Sequence, residues 1–294
     1  MAARLLLLLL LLLAPSARSQ QLPLIGVGVG TCSQAPVFIA RTSGENGAAL
    51  TQFICGLVAA GMIDPSASMA STGANTYCGS GSVFDRLFIH AMNNSTDAVL
   101  DVCGHSSATA NGSPTFTSNA GYTGSNANNA TYLDTLFNPS SGSPQFQQNS
   151  SHFSTWLLTN VSSTGLLGFS ISTITAQIYP EYTDGNLYCG VTTSVNGGRV
   201  TTAVANTIGQ FICTRTAATT MNAYKGGSSI GSSTGASAIA ENGDIWLLAS
   251  NTSGTGGVAG VFAMGSMGGG ISSAQASNYY SLGCAYLTAV HGSC

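Results

Sequence analysis

Two acidic pairs, four histidines and eight cysteines are the residues in this sequence whose types could do chemistry. Hydrolysis of a glycosidic bond needs two carboxylates flanking the bond that is cut. The candidates are Glu181 with Asp184, and Glu241 with Asp244. Asn242-Gly243 between the second pair, and Gly185-Asn186 after the first, are turn sequences in which acids are favoured for local backbone reasons. His90, His105, His152 and His291 have no partner nearby in sequence. Serine catalysis on a nucleophile elbow needs Gly-x-Ser-x-Gly between a strand and a helix. Gly79-Ser80-Gly81 and Gly265-Ser266-Met267-Gly268 offer only fragments of it. Gly26-Val27-Gly28-Val29-Gly30 lacks the spacing of a dinucleotide loop. No catalytic residue is assigned, and the expectation is that the chain is not an enzyme.

The cysteines carry a different message. Cys32, Cys55, Cys78, Cys103, Cys189, Cys213, Cys284 and Cys294 show no C-x-x-C and no histidine at zinc spacing, so neither metal nor cofactor is expected. An even number behind an export signal implies four disulfides formed in an oxidising compartment. Cys189 with Cys213 is the favoured pair, because both lie in strand-like segments that a hairpin would bring opposite each other. Sequons at Asn93, Asn94, Asn111, Asn129, Asn149, Asn160 and Asn251 are candidate attachment points for N-linked glycans. Asn93 and Asn94 overlap, and Pro114 counts against Asn111, which leaves Asn93, Asn94, Asn129, Asn149, Asn160 and Asn251.

The elements that would position these residues begin with a leader. Arg4, the leucine run Leu5–Leu13 and Ala17-Arg18-Ser19 read as a signal peptide over residues 1–19. The leucine run is too short for the roughly 20 residues that span a bilayer, so a secreted, extracellular chain with no membrane attachment after cleavage is expected. Losing Arg4 and Arg18 leaves five of seven basic residues against ten acidic ones, a net charge of 5 − 10 = −5. That balance gives no basic footprint for nucleic acid. Only 6% of residues are charged, against about 25% in average domains, and glycans are the natural source of surface hydration.

Residues 20–31 form an uncharged apolar arm. In an extended arm Ile25, Val27 and Val29 share one face, and glycines line the other. Residues 32–110 read as a helical cap with a disulfide-pinned loop. A helix over Ala48–Ile63 and a shorter one over Val83–Met92 follow from apolar spacing. Residues 111–294 carry short strands separated by Gly, Asn and Ser turns, which points to a sandwich. The candidates are Thr115–Ser118, Tyr132–Phe137, Phe153–Val161, Gly168–Ile171, Gln177–Tyr182, Asn186–Thr193, Gly209–Arg215, Met221–Lys225, Asp244–Ser250 and Val258–Met264. A closing helix over Ser272–Val290 opens with a capping box, Ser272 to Gln275. The fold class is therefore mainly β: a jelly-roll β-sandwich with a small helical N-terminal cap and a C-terminal helix.

Met221-Asn222-Ala223-Tyr224-Lys225-Gly226-Gly227, with Val258–Met264, Gly268-Gly269-Gly270 and Tyr279-Tyr280, resembles the laminin-G/concanavalin A-like jelly-roll group of bacterial and phage surface proteins. The resemblance spans residues 37–290 and implies a hairpin at Met221–Gly231 and a closing strand followed by a helix. Calcium ligands typical of some members are not recognisable. The cysteines, the sequons and the arm together resemble subunits of glycosylated extracellular fibrils. That resemblance implies a head-to-tail homopolymer with copies of itself, joined by a strand in which Leu22, Leu24, Ile25, Val27 and Val29 fill a groove of the next subunit. The same arm is also compatible with the first strand of its own domain. The alternative function is a glycan-binding lectin or adhesin.

Overall fold

A computed structural model describes residues 31–69, 78–125, 131–141, 144–161, 167–171, 174–194, 197–240, 242–251 and 257–294, with the backbone alone at 167, 169–171 and 174–175. Residues 1–19, read above as a signal peptide, and all but the last residue of the arm lie outside the described residues, as do Asn129 and Glu241.

The chain opens with helices α1 (Gln34–Ile39) and α2 (Gly47–Ala59), followed by strand β1 (Phe84–Ile89). Then come β2 (Thr109–Asn111), β3 (Thr115–Thr117), β4 (Gly121–Thr123), β5 (Tyr132–Asp134), β6 (Ser151–Leu157), β7 (Leu167–Ile171), β8 (Ile174–Tyr179) and β9 (Asn186–Ser194). The rest is β10 (Val200–Ala203), β11 (Gly209–Ala217), β12 (Thr220–Lys225), β13 (Ser228–Ser233), β14 (Trp246–Leu247), β15 (Val261–Gly268) and helix α3 (Ser273–His291). One sheet runs β13-β12-β11-β6-β15-β4-β3, with β1 also paired to β15. The other runs β10-β9-β8-β7-β14-β5-β2, and every pairing is antiparallel. This is the mainly β sandwich with N-terminal helices and a C-terminal helix that the sequence implies.

Burial along β6 shows how the layers stack. All seven of its residues are buried, so the usual half-wet alternation of an antiparallel strand is missing. Trp156 meets α3 at Gly283 and Tyr280, while Phe153 points the other way, to Gly168 of the second sheet. The first sheet is thus covered by the other sheet on one face and by α2 and α3 on the other. The helices are held to each other by Gly56 against Leu282 and by Phe53 beside Tyr279 and Tyr286.

The same sandwiching explains the one wrong element type. The apolar residues of Val83–Met92 satisfy a helical period, yet Phe84–Ile89 is a strand on β15 with all six residues buried. A strand covered on both faces loses its alternation, and a short apolar run then fits either period. Asp244–Ser250 shrinks to a two-residue strand, because Leu248 turns to φ 71°, in the left-handed region. The hairpin implied at Met221–Gly231 is β12–β13, closed by Gly226-Gly227 with both φ positive (56° and 74°). Ser272 and Gln275 form the capping box of α3.

The four disulfides pair Cys32–Cys55, Cys78–Cys103, Cys189–Cys213 and Cys284–Cys294. The pairing of Cys189 with Cys213 stands, but its reason does not. The two cysteines lie on β9 and β11, in different sheets, so the bond staples the sandwich across its core rather than across a hairpin. Beside it the buried Arg215 donates to the carbonyls of Val191, Ala218 and Gly235, spending its charge on backbone oxygens of both layers.

Candidate functional site

Between β6, β15 and α3 lies a sealed polar network. His152 and Ser154 of β6 register with Gly268 and Ser266 of β15, which puts alternate side chains of both strands under the helix. His152 Nδ1 lies 2.6 Å from the Gly269 carbonyl, and Nε2 lies 2.9 Å from Ser266 Oγ. Ser266 Oγ is 2.6 Å from Ser154 Oγ, and the Tyr279 side chain interacts with this serine pair. Burial lowers the His152 pKa to about 4, so the ring is neutral at pH 7. Its Nδ1 proton then goes to Gly269, and Nε2 accepts from Ser266. This is the hydrogen-bonding arrangement of a serine with its base, and every member is at most 1% exposed. With no atom open to solvent, its evident work is to orient α3.

A second cluster surrounds Asp101. Arg86 Nη1 lies 3.3 Å from its carboxylate and His105 Nδ1 2.7 Å. The backbone N–H groups of Leu87, Cys103 and His105 donate to the same carboxylate. Arg41, following α1, donates to the Asp101 carbonyl at 2.8 Å. Asp85 accepts from Phe146 and Gln145 at 2.7 and 3.2 Å. Burial pushes Asp85 and Asp101 up to about 6, against the pull of these partners. The cluster ties α1, β1 and the segment after β5 together.

Glu181 and Asp184 fall in the β8–β9 turn, whereas of the second pair only Asp244 is described. Asp184 accepts from the Asn186 N–H and from the Tyr188 hydroxyl, and so closes the β8–β9 hairpin. Asp244 is partly buried beside Asp134, and burial raises its pKa. Trp246 stacks on Tyr132 with ring centres 3.7 Å apart. Among the described residues no group of three or more His, Cys, Asp or Glu side chains is placed to hold a metal ion, and no helix is long and apolar enough to cross a membrane.

The sequons divide by what their amides already do. A glycan is carried on Nδ2, which keeps one proton. Asn94 Nδ2 gives both of its protons, to Ser43 Oγ and Asp97 Oδ2. Asn251 Nδ2 donates one bond, to the Asp244 carbonyl. Asn149 and Asn160 are exposed and engage their neighbours through Oδ1. Asn93 likewise accepts through Oδ1, from Ser118. An open cleft of about 490 Å³ lies where β11 begins and β12 ends, lined by Ile208, Gly209, Lys225, Gly226 and Tyr280.

No protein-family model and no curated protein matches the chain. Among solved structures it is similar to domain 4 of AbnA, an extracellular arabinanase from Geobacillus stearothermophilus, in complex with arabinotriose. The identity is 9%, the TM-score 0.34, and the match covers 67% of this chain and 98% of that domain. It is also similar to a mutant Trypanosoma rangeli sialidase displaying trans-sialidase activity, at 11% identity and TM-score 0.45, over 81% of this chain and 38% of that one. The same sialidase in complex with 2,3-difluorosialic acid matches at 10% identity and TM-score 0.44, over 79% and 39%. The chain spans less than two-fifths of the sialidases' length. The expectation that the chain is not an enzyme is withdrawn, since the solved structures it is similar to are an arabinanase domain and a sialidase. At TM-scores below 0.5 the likeness assigns no particular activity. The sequence reading missed the His152–Ser266 network and the Arg86–Asp101 pair, since both depend on strand register or loop packing that no local motif encodes.

Proposed function

We propose that this chain is a secreted, N-glycosylated subunit of an extracellular fibre, in which Leu22–Gly30 of one copy adds as a strand to the sheet of the next. The single observation that supports this reading best is the Cys32–Cys55 disulfide. It fixes the residue just after the arm to α2, so that the arm departs from a rigid point. A tethered strand loses less freedom on docking than one on a loose tail, and pre-organisation of this kind strengthens association. The surface supports the reading too. Arg86, Arg215, Asp85, Asp97 and Asp101 are buried, which leaves few charges to keep neighbouring copies apart. Glycans on exposed sequons such as Asn149 and Asn160 would hydrate the assembly. Four disulfides fit an oxidising, extracellular setting.

The test is deletion of Gln20–Gly30, read by sedimentation. The expected outcome is loss of high-mass species with a folded monomer remaining. Assemblies that survive the deletion would refute donation by the arm. A second reading, glycan binding by a lectin or adhesin of the laminin-G-like type, is favoured by the cleft beside Tyr280 and Lys225. Selective binding of the monomeric deletion variant on a glycan array would favour it over a purely structural role.

A further inference from the structure

Resting on the fibre reading above, we infer that the acceptor for the arm is the outer edge of β13, Ser228–Ser233, and that its occupant is Leu22–Gly30 of a second copy. An exposed strand edge is a row of unpaired N–H and C=O groups, and folded proteins blunt such edges with charge, proline or brevity. The two sheets end in five outer strands among the described residues: β13, β3 and β1 in one, β10 and β2 in the other. All but β13 are blunted or covered. The outer edge of β1 is met by the segment at Asp101, which bridges Phe88 and bonds Leu87. β3 is three residues long and is preceded directly by Pro114. β10 is four residues long and begins next to Arg199, whose guanidinium lies over the Tyr188 ring. β2 has three residues.

β13 is different in each respect. It is six residues long and reads Ser-Ser-Ile-Gly-Ser-Ser, with no charge and no proline. Ser228, Ser229 and Ser232 are exposed. Its inner edge is used by β12, in a ladder with one irregularity beside Ile230, and its outer edge meets no strand among the described residues. A strand added at β13 would therefore meet an edge that no other strand among the described residues pairs with.

The arm fits this edge in chemistry and in length. At about 3.4 Å per residue, six residues of β13 present an edge of roughly 20 Å, and nine arm residues reach roughly 30 Å. The surplus is only a few residues, so the donor's Cys32 must sit close to the acceptor's β13. Cys32 is bonded to α2, whereas β13 borders the sheet, so the two contacting surfaces differ. Such a contact is heterologous, and it extends into a filament where its rotation does not close a ring. On docking as an extended strand, the arm would turn its glycines to one face, allowing close backbone approach, and Ile25, Val27 and Val29 to the other.

The experiment compares the secreted full chain with two edge variants by sedimentation and negative-stain imaging. Ser229→Lys/Ser232→Lys charges β13 at two exposed positions, and Thr115→Lys/Thr117→Lys does the same to β3. The β13 variant is expected to lose at least tenfold in polymerised mass, while the β3 variant assembles like the unaltered chain. Assembly of the β13 variant at the level of the unaltered chain, or loss confined to the β3 variant, overturns the assignment and leaves arm donation to be judged by the deletion. Failure of the unaltered chain to assemble overturns both. Hydrogen exchange on the assembled full chain covers the case of a misfolded variant. Slowed exchange at Ser228–Ser233 relative to the Gln20–Gly30 deletion is expected, and equal exchange there overturns the assignment.

Discussion

His90 and His152, together with Asp85 and Asp101, give this protein opposing pH responses. Burial lowers both histidines to about 4 and raises both aspartates to about 6. A histidine whose folded pKa is depressed contributes stability above its unfolded value of about 6.5, lost as pH falls through about 4. An aspartate whose folded pKa is raised contributes stability below about 4, lost as pH rises through about 6. Between pH 6.5 and 4 the two pairs cancel in sign, and melting temperature should change little. Asp85→Asn removes one of the gains on acidification, so its melting temperature should fall steadily below pH 6.5. His90→Phe removes one of the losses, and its melting temperature should rise relative to its own value at pH 7. Thermal melts of the three proteins across that range check this, and parallel profiles would contradict it. Asp85 and Asp101 were not singled out in the sequence, and His90 and His152 stood there without partners. Those of His152, Ser266 and Gly269, lie more than a hundred positions away, and that of His90 is a backbone carbonyl, of Ala98, which no motif marks.

At the level of elements, α3 owes its place to one glycine. A Cβ on Gly283 would lie 2.6 Å from Trp156 Cζ3. The indole has little room to yield, since it stacks on Tyr280 and donates from Nε1 to the Cys294 carbonyl. Gly283→Val should therefore cost about 2 kcal/mol or more, as overpacking in tight cores does. Ser281→Ala, on the exposed side of the same helix, should stay within about 0.5 kcal/mol. Denaturant titration of the two variants measures the difference, and equal midpoints would contradict the packing described. The helix itself was legible, because its capping box and apolar positions are local signals. β1 was not, because burial on both faces erased its alternation. β13 carries no apolar pattern at all; only the resemblance of Met221–Gly231 to a hairpin pointed to it.

For the whole molecule, the layer order of helices, sheet and sheet explains why a chain so poor in charge holds together. Both faces of the central sheet are covered, a disulfide crosses the core, and the buried charges are met by backbone groups, polar side chains or one another. The fold class was legible from turns and short strands, whereas the sheet order was not, since β6 pairs with β11 and β15, far along the chain. The candidate site was legible only as an arm without a socket, because an edge exists only once a sheet has formed. Imaging of the secreted, glycosylated full chain by negative-stain electron microscopy at micromolar concentration puts the fibre account to its plainest trial. Head-to-tail filaments with a repeat of one subunit are expected. A field of uniform single particles, unchanged when Gln20–Gly30 is removed, would contradict the account.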